Sequence, residues 1–306
     1  MSKDIFAQIL DRKREAVAQL RGYRSLEDFR EQALEVRKNG KRHRLRRALE
    51  SDLERLNIIA EFKRRSPSLG IIRDNLSVDE VARCYERGGA CAISVLTDEE
   101  FFGGSIADLR VARSSTNLPL LRKDFIIDPI QIYEAAVTGA DAVLLIVTAL
   151  DNTSLKDLRS LAEDELGLDA LVEVHSSEEL NRALNANAKI IGVNNRDLRT
   201  FRVSLDTSEH LIAEAPRDRV MISESGLQNV KDLRHLQALG FRGFLMGEAL
   251  MRSSDAEKAI RDLLVQPEDQ AALQRSCSHR PVAGSTAPST AHSAVATAES
   301  HDAHTD

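Results

Sequence analysis

An apolar strand followed by an amphipathic helix, repeated eight times from residue 57 onward, predicts an α/β fold: a closed (β/α)8 barrel, the TIM barrel, with an N-terminal helical extension. Three observations carry this. The strand segments are near-continuous apolar runs, as in a parallel sheet covered on both faces. The segments between them have helical period, and each supplies the crossover that parallel neighbours need. No G-x-G-x-x-G follows the first strand, where KRRSPSLG stands instead; this sets aside a doubly wound open sheet.

In chain order, residues 1–50 are helical in pattern and form an extension expected to cap the barrel. Its segment REQALEVRKNGKRHRLRRALE is strongly basic. It is either a solvated helix face or a lid lending positive charge to the barrel mouth. The barrel domain is expected over 51–267. Its strands are NIIAEFK (57–63), CAISVLT (91–97), LPLLRKDF (118–125), AVLLIVT (142–148), ALVEVH (170–175), IIGVNN (190–195), VMISES (220–225) and GFLMGE (243–248). The first helix, SVDEVARCYERGG, has Ser77 and Glu80 at capping-box spacing and ends in glycine. IADLRVARSS, IQIYEAAVTG and LKDLRSLAEDEL follow. SSEELNRALNA opens on Ser176 and Glu179 at the same spacing. The stretch from Leu205 to Ala215, VKDLRHLQALG and DAEKAIRDLL supply the rest. Residues 268–306 turn to Ser, Thr, Ala and His and read as a disordered polar tail.

Composition excludes several classes of function. The net charge of −6 argues against a nucleic-acid or anionic-membrane surface. No apolar run reaches the roughly 20 residues of a membrane span. The charged N-terminus lacks the apolar core of a secretory signal. Cys84, Cys91 and Cys277 form an odd, sparse set, as expected for reduced thiols in a cytoplasmic protein. None has metal-ligand spacing, and His279, His292, His301 and His304 are irregularly spaced, so no metal site is expected.

Function in this fold belongs to the C-terminal strand ends. The first strand ends with Glu61 and Lys63, two apart and so on one side. The third ends with Lys123 and Asp124. The fifth carries Glu173 and His175, again two apart. The sixth ends with Asn194, Asn195 and Arg196, the seventh with Glu224 and Ser225, the eighth with Gly247 and Glu248. The second and fourth end in Thr97 and Thr148. Buried charges are costly unless paired or used. Lysines and glutamates converging on one rim can split their pKa values, so that a lysine donates a proton while a glutamate accepts one. Ser225-Gly226 and Gly247-Glu248 follow the two strands whose loops often bind phosphate in such barrels, and Ser66 can add a hydroxyl. Phe101, Phe102, Phe125 and Leu144 lie near the expected mouth, where they can pack an aromatic ring.

The segments EFKRRSPSLG, SVLTDEEFFGGS, PLLRKDFIID, GADAVLLI, LVEVHSSEEL, GVNNRDLRTF, ISESGL and MGEALM together resemble the indole-3-glycerol-phosphate synthase family, from the N-terminal helices to about Leu264. The resemblance implies ring closure of 1-(2-carboxyphenylamino)-1-deoxy-D-ribulose 5-phosphate to indole-3-glycerol phosphate, with loss of CO2 and water. It implies no cofactor and no metal. It makes Lys123 the general acid on the ribulose ketone, Lys63 the partner of the substrate carboxylate and a candidate second proton donor, and Glu173 the base for dehydration. Glu61 and Asn194 are similar to the family's orienting residues, and Arg196, Glu224 and Ser225 match further active-site positions. Ser66, Gly226, Gly247 and the backbone at Glu248 match its phosphate contacts. Leu69 stands where the family often has lysine, which leaves the first loop less charged. The partner implied is a small sugar phosphate carrying a carboxyphenyl ring, with no nucleic acid and no membrane; the oligomeric state is expected to be monomeric. A sugar-phosphate isomerase would more naturally place cysteine or an aspartate pair at this rim. A binding protein would not need Glu61, Lys63, Lys123 and Glu173 all intact.

Overall fold

The computed structural model describes residues 5–198 and 200–265. Among these, eight strands pair in parallel and close on themselves, each beside its sequence neighbours. They are β1 (Ile58–Phe62), β2 (Ala92–Leu96), β3 (Leu120–Lys123), β4 (Ala142–Ile146), β5 (Asp169–Val174), β6 (Ile190–Asn194), β7 (Val220–Glu224) and β8 (Gly243–Met246). Closure pairs Ile58, Ile59 and Ala60 of β1 with Phe244, Leu245 and Met246 of β8. Three helices precede the barrel: α1 (Ile5–Tyr23), α2 (Leu26–Lys38) and α3 (Arg44–Glu50). The crossovers are α4 (Val78–Gly88), α5 (Ile106–Ser115), α6 (Pro129–Thr138), α7 (Asn152–Ser160), α8 (Ser177–Asn185), α9 (Asp206–Glu214) and α10 (Val230–Leu239). After β8 come α11 (Glu248–Arg252) and α12 (Ala256–Leu264).

Alternation along each strand sorts its side chains into two cores. Ile58, Ala60, Ile93, Val95, Val143, Val172, Ile191 and Phe244 belong to the layer between barrel and helices. Ile59, Ala92, Leu121, Leu144, Leu171, Ile190, Ile222 and Leu245 fill the barrel. Both sets are buried, so the strands read as continuous apolar runs rather than alternating ones. On the inward set, apolar residues give way near the C-terminal rim to Glu61, Lys123, Glu173, Asn194 and Glu224.

Local details depart from the expected elements. Strand pairing stops one or two residues short of the expected ends, because the chain turns there to build the rim: Val147–Ala149 is a 3-10 turn and Glu248 already opens α11. The helix expected over 155–166 is α7 continued by a π turn at Leu161–Glu165. Ser77 does not close a capping box; its hydroxyl donates to Asp79. Ser176 does cap, accepting from the Glu179 N–H at 3.3 Å, but the Glu179 carboxylate goes to His175 instead. Capping-box spacing leaves the acid free to choose any nearby donor.

The N-terminal helices cover both ends of the barrel, and the basic segment is not the lid at the mouth. Leu45 and Leu49 of α3 enter the barrel core from the end where the strands begin. Gly243, at the start of β8, makes room for them, since a β-carbon there would stand 2.7 Å from Leu49 Cδ2. Around this plug, Arg44 pairs with Asp141 at 2.8 Å; Arg37 donates to the carbonyls of Leu166 and Gly167, and Arg42 to those of Glu163 and Asp164. Arg37, Arg42 and Arg44 of the segment thus serve carbonyls and an aspartate at this end. The mouth is covered by α1, whose Ile5, Phe6 and Ile9 face it. Lys13 fastens that helix: its ammonium is buried between Asp98 (3.0 Å) and Asp124 (2.6 Å), just past β2 and β3. Cys84 and Cys91 are free thiols, and burial pushes the Cys91 thiol up to about 12. Cys277 and the four histidines of the C-terminal segment lie outside the described residues.

Candidate active site

A cavity of about 670 Å³ opens at the C-terminal ends of the strands. Fourteen of the residues singled out from the sequence line it: Glu61, Lys63, Ser66, Lys123, Phe125, Leu144, Glu173, Asn194, Arg196, Glu224, Ser225, Gly226, Gly247 and Glu248; His175 and Asn195 do not. Of the other aromatics named, Phe102 lines it and Phe101 does not. Thr97 and Thr148 stay outside the lining; Thr97 donates to Asp124 at 2.6 Å.

The floor of the cavity is a charge cluster. Lys123 Nζ stands 3.3 Å from Glu173 Oε2 and 3.5 Å from Glu224 Oε2. Lys63 Nζ, just past β1, stands 2.7 Å from Glu61 Oε1, so the two charges two apart do meet on one side. Asn194 clamps the centre: its Nδ2 donates to Glu173 Oε1 at 3.1 Å, and its Oδ1 accepts from the Arg196 N–H at 3.0 Å. Asn195 points the other way and serves the fold, donating to Ser223 Oγ and to the carbonyls of Glu224 and Ser225.

The carboxylates fit inside the barrel because their neighbours are glycines. A β-carbon on Gly192 of β6 would overlap Glu224 Oε1, and one on Gly247 would come within 2.5 Å of Glu61 Oε1. Sequence reading missed Gly192. The signal was a glycine two residues before Asn194, on the same inward face of β6.

Titration in this cluster is split. Burial works against charge on Lys123, but Glu173, Glu224 and Glu61 outweigh it and hold the ammonium well above its ordinary range. Burial likewise opposes ionisation of Glu173, yet Lys123, His175 and Asn194 prevail and hold its carboxyl well below the usual range. Glu224 goes the other way: burial, reinforced by the negative charges of Glu173 and Glu61, pushes it up to about 7 despite Lys123. One carboxylate is held ionised and its neighbour is drawn toward the protonated form, the separation that acid–base chemistry uses.

At one side of the cavity, Ser225 (φ 68°) and Gly226 (φ 78°) are both left-handed, giving a sharp turn after β7. Residue 226 must be glycine twice over, since a β-carbon would also overlap Val203 Cγ1. Gly247 and Glu248 follow the neighbouring strand β8 at the start of α11, and Ser66 and Arg196 also belong to the lining. Arg252, which the sequence reading did not single out, adds a cation here, 3.2 Å from Glu248. The apolar side is an aromatic cluster, with the Phe125 ring 6.2 Å from Phe6 and 6.0 Å from Phe102. Phe6 reaches it from α1, a contribution invisible while the N-terminal helices had no assigned place. Arg64 and Arg65 do not reach into the cavity as anion ligands. Arg64 makes a bidentate pair with Asp108, and Arg65 donates to the carbonyls of Glu99 and Glu100, tying the loop after β1 to the loop after β2.

A family model described as indole-3-glycerol phosphate synthase matches residues 6–263. An indole-3-glycerol phosphate synthase from Carboxydothermus hydrogenoformans is 49% identical over 225 residues, 72% of this chain and 84% of that protein. Among solved structures, a thiamine phosphate pyrophosphorylase from Pyrococcus furiosus superposes with a TM-score of 0.52 at 19% identity, over 68% of this chain and 93% of that one. That last likeness is one of fold alone.

Proposed function

Because the chain belongs to the indole-3-glycerol phosphate synthase family, we propose that the charge cluster at the barrel mouth is the machinery of that reaction. The family's activity is that of a decarboxylating lyase of tryptophan biosynthesis, acting on a small phosphorylated substrate. Our reading concerns which residues carry it and how.

The substrate is 1-(2-carboxyphenylamino)-1-deoxy-D-ribulose 5-phosphate. Its phosphate sits at the turns Ser225-Gly226 and Gly247-Glu248, with Ser66 and Arg196 in support; consecutive left-handed residues leave backbone amides free for an anion. Its ring packs against Phe125 and Leu144, and its carboxylate meets Lys63. The aryl carbon bearing that carboxylate attacks the ketone carbon. Lys123 gives its proton to the ketone oxygen, which becomes a hydroxyl, and the C–C bond to the carboxylate then breaks, releasing CO2 and returning its electron pair to the ring. In the dehydration, Glu173 takes a proton from the methylene carbon beside the nitrogen while Lys63 gives one to the hydroxyl, which leaves as water and closes the new double bond. Asn194 fixes Glu173, Glu61 holds Lys63, and Glu224, with its raised pKa, moderates the charge on Lys123. Each placed acid or base is worth about 10²–10⁴-fold. No step in this scheme calls on a metal or cofactor.

One observation supports this assignment above the others: Lys123 lies between two carboxylates whose pKa values are pushed in opposite directions. We further read residues 1–50 as a covering extension and 51–267 as the catalytic barrel of a cytoplasmic monomer with no nucleic-acid partner. The test uses the absence of tryptophan from the chain. Substrate is added to the protein without metal or nucleotide, and indole emission is followed; its appearance supports the reading. Tight binding without emission would favour a binding protein instead.

A further inference from the structure

His175 is half-buried beside Glu173 and is not among the residues lining the cavity. Its Nε2 is 3.4 Å from Glu173 Oε1, at ion-pair distance without hydrogen-bond geometry, and its Nδ1 is 3.1 Å from Glu179 Oε2. Glu179 is itself held, accepting the His175 backbone N–H at 2.8 Å and the Thr148 hydroxyl. A neutral imidazole carries a proton on only one nitrogen. With a carboxylate facing each nitrogen, a neutral ring would set a lone pair against negative charge. The doubly flanked ring is therefore best satisfied as imidazolium, and although burial opposes the charge, Glu173 and Glu179 push its pKa up to about 10.

We propose that His175 is a positioning residue for the catalytic base: as a fixed imidazolium it keeps Glu173 ionised, so that the acid and the base, 3.3 Å apart, do not neutralise each other. The proposal rests on the reading of Glu173 as base. Around Glu173 stand Lys123 from β3, Asn194 from β6 and Glu224 from β7, with Glu61 from β1 adding further negative charge. Glu224 and Glu61 favour protonation of Glu173, whereas Lys123 and His175 oppose it. When Lys123 has passed its proton to substrate it is neutral, and of these groups His175 remains as the cation beside the base.

His175→Gln keeps a hydrogen-bonding side chain but removes the charge. The acidic limb of kcat/KM against pH is expected to move up by roughly one to two pH units, the size of shift an adjacent opposite charge produces. KM on the plateau is expected to change little, and His175→Lys, which restores a cation, is expected to move the limb back. A limb unmoved in a His175→Gln protein of native melting temperature would overturn the proposal. Should that variant not fold, NMR titration of the unmodified protein decides: a His175 ring still protonated at pH 8 supports the proposal, and a ring neutral at pH 7 overturns it. Glu173→Gln tells the two readings apart. If it stays active, Glu173 is not the base; if it is inactive while the His175→Gln limb stays put, the role of His175 alone fails.

Discussion

Gly192 and Glu224 occupy one space: the carboxylate of Glu224 lies where a β-carbon on residue 192 would be. Glu224 keeps its place above Lys123 because β6 offers no side chain at that height. Gly192→Ala therefore has to displace the carboxylate. The expected result is a loss of about 1–3 kcal/mol in denaturant unfolding, the usual range for overpacking, together with a fall in kcat larger than any rise in KM. A variant with native kcat would show that the position of Glu224 is immaterial.

Glu224 also makes stability depend on pH, in a direction opposite to the common carboxylate. Its folded pKa, about 7, lies above its ordinary 4.5, so the folded state holds the proton more tightly than the unfolded one. Stability from this group is fully present below about pH 4.5 and is lost as pH rises toward 7, by on the order of 3 kcal/mol. Glu224→Gln removes that loss. We expect the variant to melt higher than the unmodified protein at pH 8, with no gain at pH 4, while activity falls. Equal melting temperatures at pH 8 would contradict the raised pKa.

Lys13 joins the covering helix to the catalytic strand ends through Asp98 and Asp124. Replacing it by methionine takes the cation from buried Asp98 and leaves Asp124 with Arg122 alone, 3.1 Å away; removing one partner of a buried pair costs about 3–5 kcal/mol. Burial favours the neutral form of Asp124, but Lys13 and Arg122 bring it down to about 2 from 3.8. Its contribution is thus present above pH 3.8 and lost as pH falls through about 2. Lys13→Met is expected to lower the denaturation midpoint at pH 7 and to narrow that difference toward pH 2, as read by circular dichroism.

The two ends of the barrel separate stability from chemistry. Leu49 is fully buried in the plug at the strand starts, remote from the rim. Leu49→Ala is expected to cost about 2–5 kcal/mol and to leave kcat unchanged at temperatures where the variant is folded. A large drop in kcat without unfolding would mean that the plug reaches the site.

The barrel was legible because burial on both faces leaves its mark on every strand, and the rim was legible because charge at the end of an apolar run is costly without use. Lys123 and Glu173 stand out on that ground alone. What the sequence hid were relations between distant segments. Phe6 and Lys13 lie on a helix whose pattern says only that it is amphipathic, and the basic run around Arg44 looks the same whether it covers the mouth or, as it does, the opposite end. Arg64 and Arg65 resemble anion ligands until their partners Asp108, Glu99 and Glu100 are seen. Gly192 carries no signal except its place on the inward face of β6.

The most direct test of the account is the turnover of Lys123→Ala, followed by indole emission from 1-(2-carboxyphenylamino)-1-deoxy-D-ribulose 5-phosphate. The account predicts a loss of kcat of at least about 10²-fold, the contribution of one placed acid, with KM little altered because the phosphate and ring contacts remain. A Lys123→Ala protein that retains near-native kcat would contradict it, and the proton would have to come from elsewhere in the cluster.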